Sequence, residues 1–427
     1  MTAGDTIERG AVAIAGVGGN GAVAIAGVGS AEGFASATAG VGGNGAIADG
    51  VGSAEGFASA MAAALKIGKI VLTSPLILAP LAGYTDVAFR RLCRDCGAGL
   101  TVTEMTSVKG LCYGSRNTRE LLRTAPNERP SCVQLFGSDP AFFERALALP
   151  ELAGFDIIDV NMGCPMPKIT KNGDGSALLS DPAKAAKIVA ACVKAGGGRP
   201  VTVKMRIFGD AIAFARALCD AGAAMLAVHG RTPAQRYSGA ADWDAIGNIA
   251  RALPIPVAGN GDVVSVSGVR FALKTYGVSG VMIGRGALGN PAIFSGADGD
   301  YFGGHSGGGY VGASGGDYFG AANGGAFSEC RGVAANGGYA GAACCDSFPD
   351  SAVGERPLPP VLRHLNYLTE YFPDRYAVTG MRKHLVYYLC GVPGAKRLKS
   401  KIAALETAAG LFAELKSALY QNGGVFT

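Results

Sequence analysis

Ile157-Ile158-Asp159-Val160-Asn161-Met162-Gly163-Cys164-Pro165 opens as a short β-rich run and closes on a turn. The same two-part unit recurs along the chain. Runs of this kind stand at Leu76–Ala79, Leu100–Thr103, Cys132–Leu135, Val201–Met205, Met225–Val228, Ile255–Ala258 and Val281–Ile283. Helical stretches separate most of them, among them Asp86–Cys96, Pro182–Ala195, Asp210–Ala221 and Asp242–Ala252. Eight strands alternating with helices over residues 67–294 predict an α/β fold, a (β/α)8 TIM barrel. A doubly wound open sheet would not need eight repeats of such even spacing.

Composition sets the barrel apart from its flanks. Residues 1–64 and 295–352 hold 33 of the 67 glycines in little more than a quarter of the chain. The first segment repeats itself: Gly16-Val17-Gly18-Gly19-Asn20-Gly21 returns as Gly40-Val41-Gly42-Gly43-Asn44-Gly45. Each copy matches G-x-G-x-x-G, but no crossover helix follows, so a dinucleotide fold is rejected in favour of low-complexity sequence. Such segments bury too little apolar surface to offset their ordering entropy. Residues 1–66 are therefore expected to be a disordered tail and 295–355 a disordered insertion. Beyond the insertion, Pro357–Tyr371, Ala377–Cys390 and Ala395–Leu419 carry helical apolar spacing, broken by Pro373 and by Gly391-Val392-Pro393. Residues 356–427 are expected to form a small C-terminal helical domain.

Charge is placed unevenly. Residues 356–401 carry nine Lys/Arg against Glu370 and Asp374, a local balance of +7 in a chain of net +5. A surface of this kind suits a polyanion, although a solvated helical face would look the same. The eleven cysteines are scattered through apolar segments, and Met1-Thr2-Ala3-Gly4-Asp5 lacks the features of a secretory leader. Reduced cytoplasmic thiols are the expectation. Cys93-Arg94-Asp95-Cys96 has no second pair at metal spacing, so no metal is expected. No apolar run has membrane-spanning length.

A barrel builds its active site from the C-terminal ends of its strands. Here those ends read Pro80-Leu81-Ala82-Gly83, Glu104-Met105, Gln134, Asn161 to Cys164, Lys204 with Arg206, His229-Gly230-Arg231-Thr232, Asn260-Gly261-Asp262 and Gly284-Arg285-Gly286. Strands seven and eight commonly end at a phosphate site, and Gly261, Gly284 and Arg285 suit one. Gln134 and Lys204 could meet the edge of a flavin ring, the ammonium holding negative charge when the ring is reduced. Cys164 could be a nucleophile, a metal ligand or a proton donor. The metal reading lacks partners, and a nucleophile would want a base beside it. A proton donor needs only to stay a thiol near a developing carbanion.

Ala79-Pro80-Leu81-Ala82-Gly83-Tyr84-Thr85-Asp86, Asn161-Met162-Gly163-Cys164-Pro165, Val203-Lys204-Met205-Arg206, Val228-His229-Gly230-Arg231-Thr232, Gly259-Asn260-Gly261-Asp262 and Gly284-Arg285-Gly286 stand in order, and the set resembles the tRNA-dihydrouridine synthase family, most closely its bacterial B-type branch. The resemblance spans about Ile67 to Phe294 and resumes over about Leu358 to Ile402. It implies an FMN enzyme that reduces uridine in tRNA to 5,6-dihydrouridine with NADPH as reductant. By resemblance Pro80, Leu81 and Ala82 line the flavin and Gln134 and Lys204 contact it. Asn260, Gly261, Asp262, Gly284 and Arg285 hold its tail and phosphate. Cys164 gives a proton to C5 of the uracil while hydride reaches C6. His229 and Arg231 lie beside the flavin phosphate or the target base, and Asn161 beside the base. Arg382, Lys383, Lys396 and Arg397 would neutralise tRNA phosphates, and no obligate protein partner is implied.

Leu81 replaces the family's usual Met, a swap of similar volume. The loop Ile207-Phe208-Gly209-Asp210 is altered and shortened, and the Gly-rich segments have no counterpart. Two other readings are a dihydroorotate-type flavin reductase of a small enone, which needs no basic helical surface, and a catalytically impaired RNA-binding homologue.

Overall fold

Eight parallel strands close into a ring. They are β1 Leu76–Leu78, β2 Leu100–Val102, β3 Ser131–Phe136, β4 Ile157–Met162, β5 Val201–Arg206, β6 Met225–His229, β7 Val257–Asn260 and β8 Gly280–Ile283. Each pairs with the next, β2 pairs with β3, and β8 returns to β1 through Val281 and Leu76. The computed structural model describes residues 65–296, 358–392 and 394–421. Residues 1–64 of the expected tail and 297–355 of the expected insertion lie outside the described residues, whereas Leu65 and Lys66, expected in the tail, are ordered, Leu65 in the core and Lys66 in a strand.

Period-two alternation sorts the strand residues. Ile77, Leu100, Val102, Cys132, Ile157, Met225, Ala227, Ala258 and Met282 form one buried cluster. A hairpin, Lys66–Ile67 with Ile70–Val71, brings Leu65, Ile67 and Leu72 into that cluster. The positions two and four residues further along turn polar: Gln134, Asp159, Asn161, His229 and Asn260. They too are buried. The barrel interior is thus apolar at its N-terminal end and polar at its C-terminal end.

Six longer helices cover the outside: α1 Val87–Asp95, α2 Pro140–Leu147, α3 Pro182–Ala195, α4 Ala211–Asp220, α5 Trp243–Ala252 and α6 Val266–Tyr276. Each starts on an Asp or Ser whose side chain accepts a first-turn N–H: Asp86, Asp139, Asp181, Asp210, Asp242 and Ser265. Each such cap contributes about 0.5–2 kcal/mol. Their apolar faces meet the outward strand residues in a second large cluster that includes Leu78, Phe89, Val133, Ile158, Val203, Ile188 and Ile246. The seventh expected run begins two residues later than Ile255, at Val257, because Pro256 has no N–H for the ladder.

The C-terminal helices are α7 Pro360–Tyr371, α8 Asp374–Tyr388, α9 Ala395–Ala403 and α10 Ala408–Gln421. The expected single helix Ala395–Leu419 is two. Thr407 accepts from Gly410 N and Asp374 from Ala408 N, so two caps start a new helix where propensity alone would continue the old one. Val361, Leu365, Met381, Leu385, Leu411 and Leu415 form this domain's own core, and Ala88 of α1 joins it. Asp95 of α1 accepts from Arg363 at 2.8 Å and from the Tyr367 hydroxyl at 2.6 Å. Phe89 packs against both His364 and His384. A Cβ at Gly289 would meet the Tyr387 backbone at 2.7 Å, so the barrel's last turn lies directly on α8.

Candidate active site

Asn161 ends the inward face of β4, and its side chain organises the turn that follows. Its Oδ1 accepts from Gly163 N at 3.2 Å and from Cys164 N at 3.0 Å. Arg206, at the end of β5, donates to the Gly163 carbonyl at 2.9 Å and, through Nη1, to the carbonyls of Thr232 and Arg236. Cys164 is therefore clamped from both sides. Its thiol is half-buried, and burial pushes it up, against the opposing pull of the Met166 backbone and of Arg206 and Lys204. At neutral pH it is a thiol, not a thiolate.

Beside it lies a buried polar layer. Gln134 Oε1 accepts from Asn161 Nδ2 at 2.8 Å, and Gln134 Nε2 donates to Asp159 at 2.7 Å. Asp159 also accepts from the Thr202 hydroxyl at 2.6 Å. Lys204 Nζ donates to Asn260 Oδ1 at 3.1 Å, while Asn260 Nδ2 donates to the Met282 carbonyl. Burial and the neighbouring Arg206 lower the Lys204 ammonium to about 8, with Asp159 and Cys164 pulling the other way. Asn260, expected at the flavin tail, also accepts from Lys204.

The rim after β6, β7 and β8 is cationic. Arg231 is buried and is held in two bonds by Asp262, at 2.8 and 2.6 Å, and also donates to the carbonyls of Ser238 and Gly239. Asp262 further accepts from Arg285 at 3.2 Å. Arg285 is otherwise exposed and lies 4.9 Å from the centre of the Tyr237 ring. His229 is buried, and burial together with Lys204, Arg206, Arg231 and Arg285 drives its pKa far down, so the ring is neutral. Lys204, Arg206, Arg231 and Arg285 all act on His229, and Asp262 pairs with the last two.

The glycines here are shaped by close approach. Gly261 has φ +134°, and a Cβ would meet Ala241 Cβ at 2.5 Å. A Cβ on Gly286 would meet the Val263 carbonyl at 2.2 Å. One at Gly284 would point toward Ala79 and toward Leu81, one of the residues expected to line the flavin ring. Pro80 and Leu81 are half-buried and Ala82 is exposed. Leu81 N is held by the Thr85 hydroxyl, and Gly83 N by Glu104 Oε2 at 2.5 Å. A backbone cradle with surplus positive charge beside an apolar wall fits a phosphorylated flavin in the chemistry of its donors.

On the helical domain Lys383, Lys396 and Arg397 are exposed. Arg382 is half-buried and donates to the Leu405 carbonyl at 2.5 Å, tying α8 to the turn before α10. Among the described residues no three His, Cys, Asp or Glu side chains are grouped to hold a metal, and no helix is long and apolar enough to cross a membrane.

Sequence reasoning missed Asp159, Thr202 and Tyr237, and placed Glu104 at a strand end without giving it a role. The first two carried a signal: Asp159 lies two residues before Asn161 on one strand, and Thr202 two before Lys204 on the next. A two-residue period puts each on the same inward face as its neighbour. Nothing in the sequence marks Tyr237.

The family model "Dihydrouridine synthase (Dus)" matches residues 77–302. The "Probable tRNA-dihydrouridine synthase" of Rickettsia bellii is 43% identical over 240 residues, 55% of this chain and 73% of that protein. The "tRNA-dihydrouridine synthase B" of Pseudomonas putida is 36% identical over 349 residues, 81% of this chain and 91% of that protein. Its counterpart in Pseudomonas aeruginosa is 34% identical over 353 residues, 81% and 92%. The expected barrel, the clamped Cys164 turn and these matches agree, and the chain belongs to the dihydrouridine synthase family of oxidoreductases, on its B-type branch.

Proposed function

We propose that this protein is a cytoplasmic enzyme that reduces uridine to 5,6-dihydrouridine in tRNA, using FMN and NADPH. The family match supports the reaction class. The observation that carries the mechanism is Cys164, a thiol kept protonated by burial on a turn at the barrel mouth. Bound reduced flavin supplies the hydride that goes to C6 of the uracil. Cys164 Sγ–H gives its proton to C5, so the C5–C6 double bond becomes a single bond with one hydrogen added at each carbon. The thiolate left behind is steadied by Arg206 and Lys204 and takes a proton back from solvent.

The other residues bind and orient. Gln134 and Lys204 would bind the ring edge, Pro80, Leu81 and Ala82 its apolar face, and Gly261, Gly284 and Arg285 its phosphate. Asp262 cannot itself hold a phosphate, since like charges repel; it fixes Arg231 and Arg285 in place. His229 serves as a neutral ring beside that rim, and Asn161 faces the base. Lys383, Lys396 and Arg397 neutralise tRNA phosphates from the helical domain, a salt-sensitive contribution that no small substrate would need. The base leaves its stack to enter the mouth, which costs a few kcal/mol.

The test is Cys164→Ala, assayed by mass mapping of dihydrouridine in tRNA. Flavin content is expected to stay, and turnover to fall about 10²–10⁴-fold, the usual contribution of a general acid. Full turnover in that variant, or turnover of free uridine or orotate without tRNA, refutes the proposal.

A further inference from the structure

Four polar side chains on β3, β4 and β5 are joined to one another, and the one that decides their orientation touches neither the mouth nor Cys164. Asp159 is 2% exposed and sits one layer below Asn161. Burial raises its pKa, while the bonds from Thr202 and Gln134 and the nearby Lys204 favour the charged form; in that form a carboxylate only accepts hydrogen bonds. Both of its oxygens are used, one by Thr202 Oγ1 at 2.6 Å and one by Gln134 Nε2 at 2.7 Å. The Gln134 amide nitrogen must therefore point at Asp159, which leaves its oxygen toward Asn161 Nδ2. Asn161 in turn is left with its oxygen toward the N–H groups of Gly163 and Cys164. Reversing either amide would set acceptor against acceptor on one side of it and donor against donor on the other.

We propose that Asp159 is a positioning residue: it fixes the polarity of the Gln134–Asn161 chain and through it holds the backbone of Cys164. The chain spans Thr202 on β5, Asp159 and Asn161 on β4, and Gln134 on β3, so it also ties the amide at the ring edge to the proton donor. A shift at either end is transmitted to the other through buried bonds, where an unmade bond costs most. The importance of Cys164 itself rests on the function proposed above; the chain of bonds does not.

The test uses Asp159→Leu, which keeps the shape of the side chain and removes both acceptors. Alkylation of the purified full chain is followed cysteine by cysteine by peptide mass mapping. Cys112 and Cys219, partly exposed and outside the chain of bonds, are the internal references. The expected result is a change in the Cys164 rate on the order of tenfold, with the two references within about twofold, and recovery toward the wild-type rate in Asp159→Asn, which keeps one acceptor for Gln134. Cys164 moving no more than Cys112 and Cys219 overturns the proposal, because general loosening would move all three alike. Neutron diffraction on the unaltered protein guards against a leucine variant that does not fold. It should place a Gln134 Nε2 deuteron on the Asp159 side, and an amide oxygen there overturns the proposal as well. A Cys164-selective change in a protein that makes no dihydrouridine would leave Asp159 in this role and remove the proposed reaction.

Discussion

His384 lies where the helical domain meets the barrel, and replacing it with Phe should flatten the acid limb of stability. Its ring is 4.7 Å from Phe89, 5.6 Å from Tyr84 at 81°, and 4.4 Å from His364 at 79°. Burial pushes its pKa down to about 3 from 6.5, with Lys383 adding to the fall and the Tyr84 backbone resisting it. The sign follows from which state binds the proton. Between pH 6.5 and about 3 the unfolded imidazole is protonated and the folded one is not, so lowering the pH favours unfolding. Each pH unit in that window costs about 1.4 kcal/mol. From pH 7.5 to 5.0 the imidazole crosses about 1.5 units below its unfolded value, and the loss is roughly 2 kcal/mol. Phe keeps a flat ring for the contacts with Phe89 and Tyr84 but does not titrate. Asp86 and Glu104 remain in both proteins, and so does His364, whose pKa burial and His384 itself lower; the difference between the two pH dependences therefore reports His384 together with that coupling. Urea unfolding followed by circular dichroism at pH 7.5 and 5.0 should show the wild type losing roughly 2 kcal/mol more than His384→Phe. Equal losses would refute the reasoning and mean that water or a polar partner already solvates this ring.

Two further outcomes follow from the site. Lys204 is lowered to about 8 by burial and Arg206; as pH rises through that value its ammonium is lost, so turnover should decline above about pH 8, and Lys204→Met should be slow at every pH with that decline gone. A wild-type profile flat to higher pH would show that the charge is not needed. Gly286→Ala sets a methyl 2.2 Å from the Val263 carbonyl and 3.0 Å from Val264 Cα, both backbone atoms that cannot swing away. The loop must shift, at a cost of about 1–3 kcal/mol, and flavin absorbance of the purified protein should fall.

The barrel was legible in the sequence because its strands and its helix starts both carry local signals. Ile157–Val160 reads as a strand wherever it stands, and Asp86, Asp181, Asp210 and Asp242 mark helix starts within three residues of the N–H they satisfy. The split between α9 and α10 was not legible, because half of its cause, Asp374, is 34 residues away. The site follows the same division. Gly261, Gly284 and Arg285 were visible as glycine and charge at strand ends. Asn260 was visible as well, but its partners Lys204 and the Met282 carbonyl come from β5 and β8, and only closure of the ring shows that its amide bonds to them. Arg231 likewise looks free in the sequence and is locked by Asp262 in the fold. What sequence hides, then, is which polar groups are already satisfied, and this separates the groups that can act from those that hold them. Cys164 heads the first set: its backbone N–H is committed to Asn161, while the charges that act on its thiol among the described residues are those of Arg206 and Lys204. A donor fixed by its backbone, with its thiol left to give the proton, is the arrangement that protonation of a nearby carbon requires.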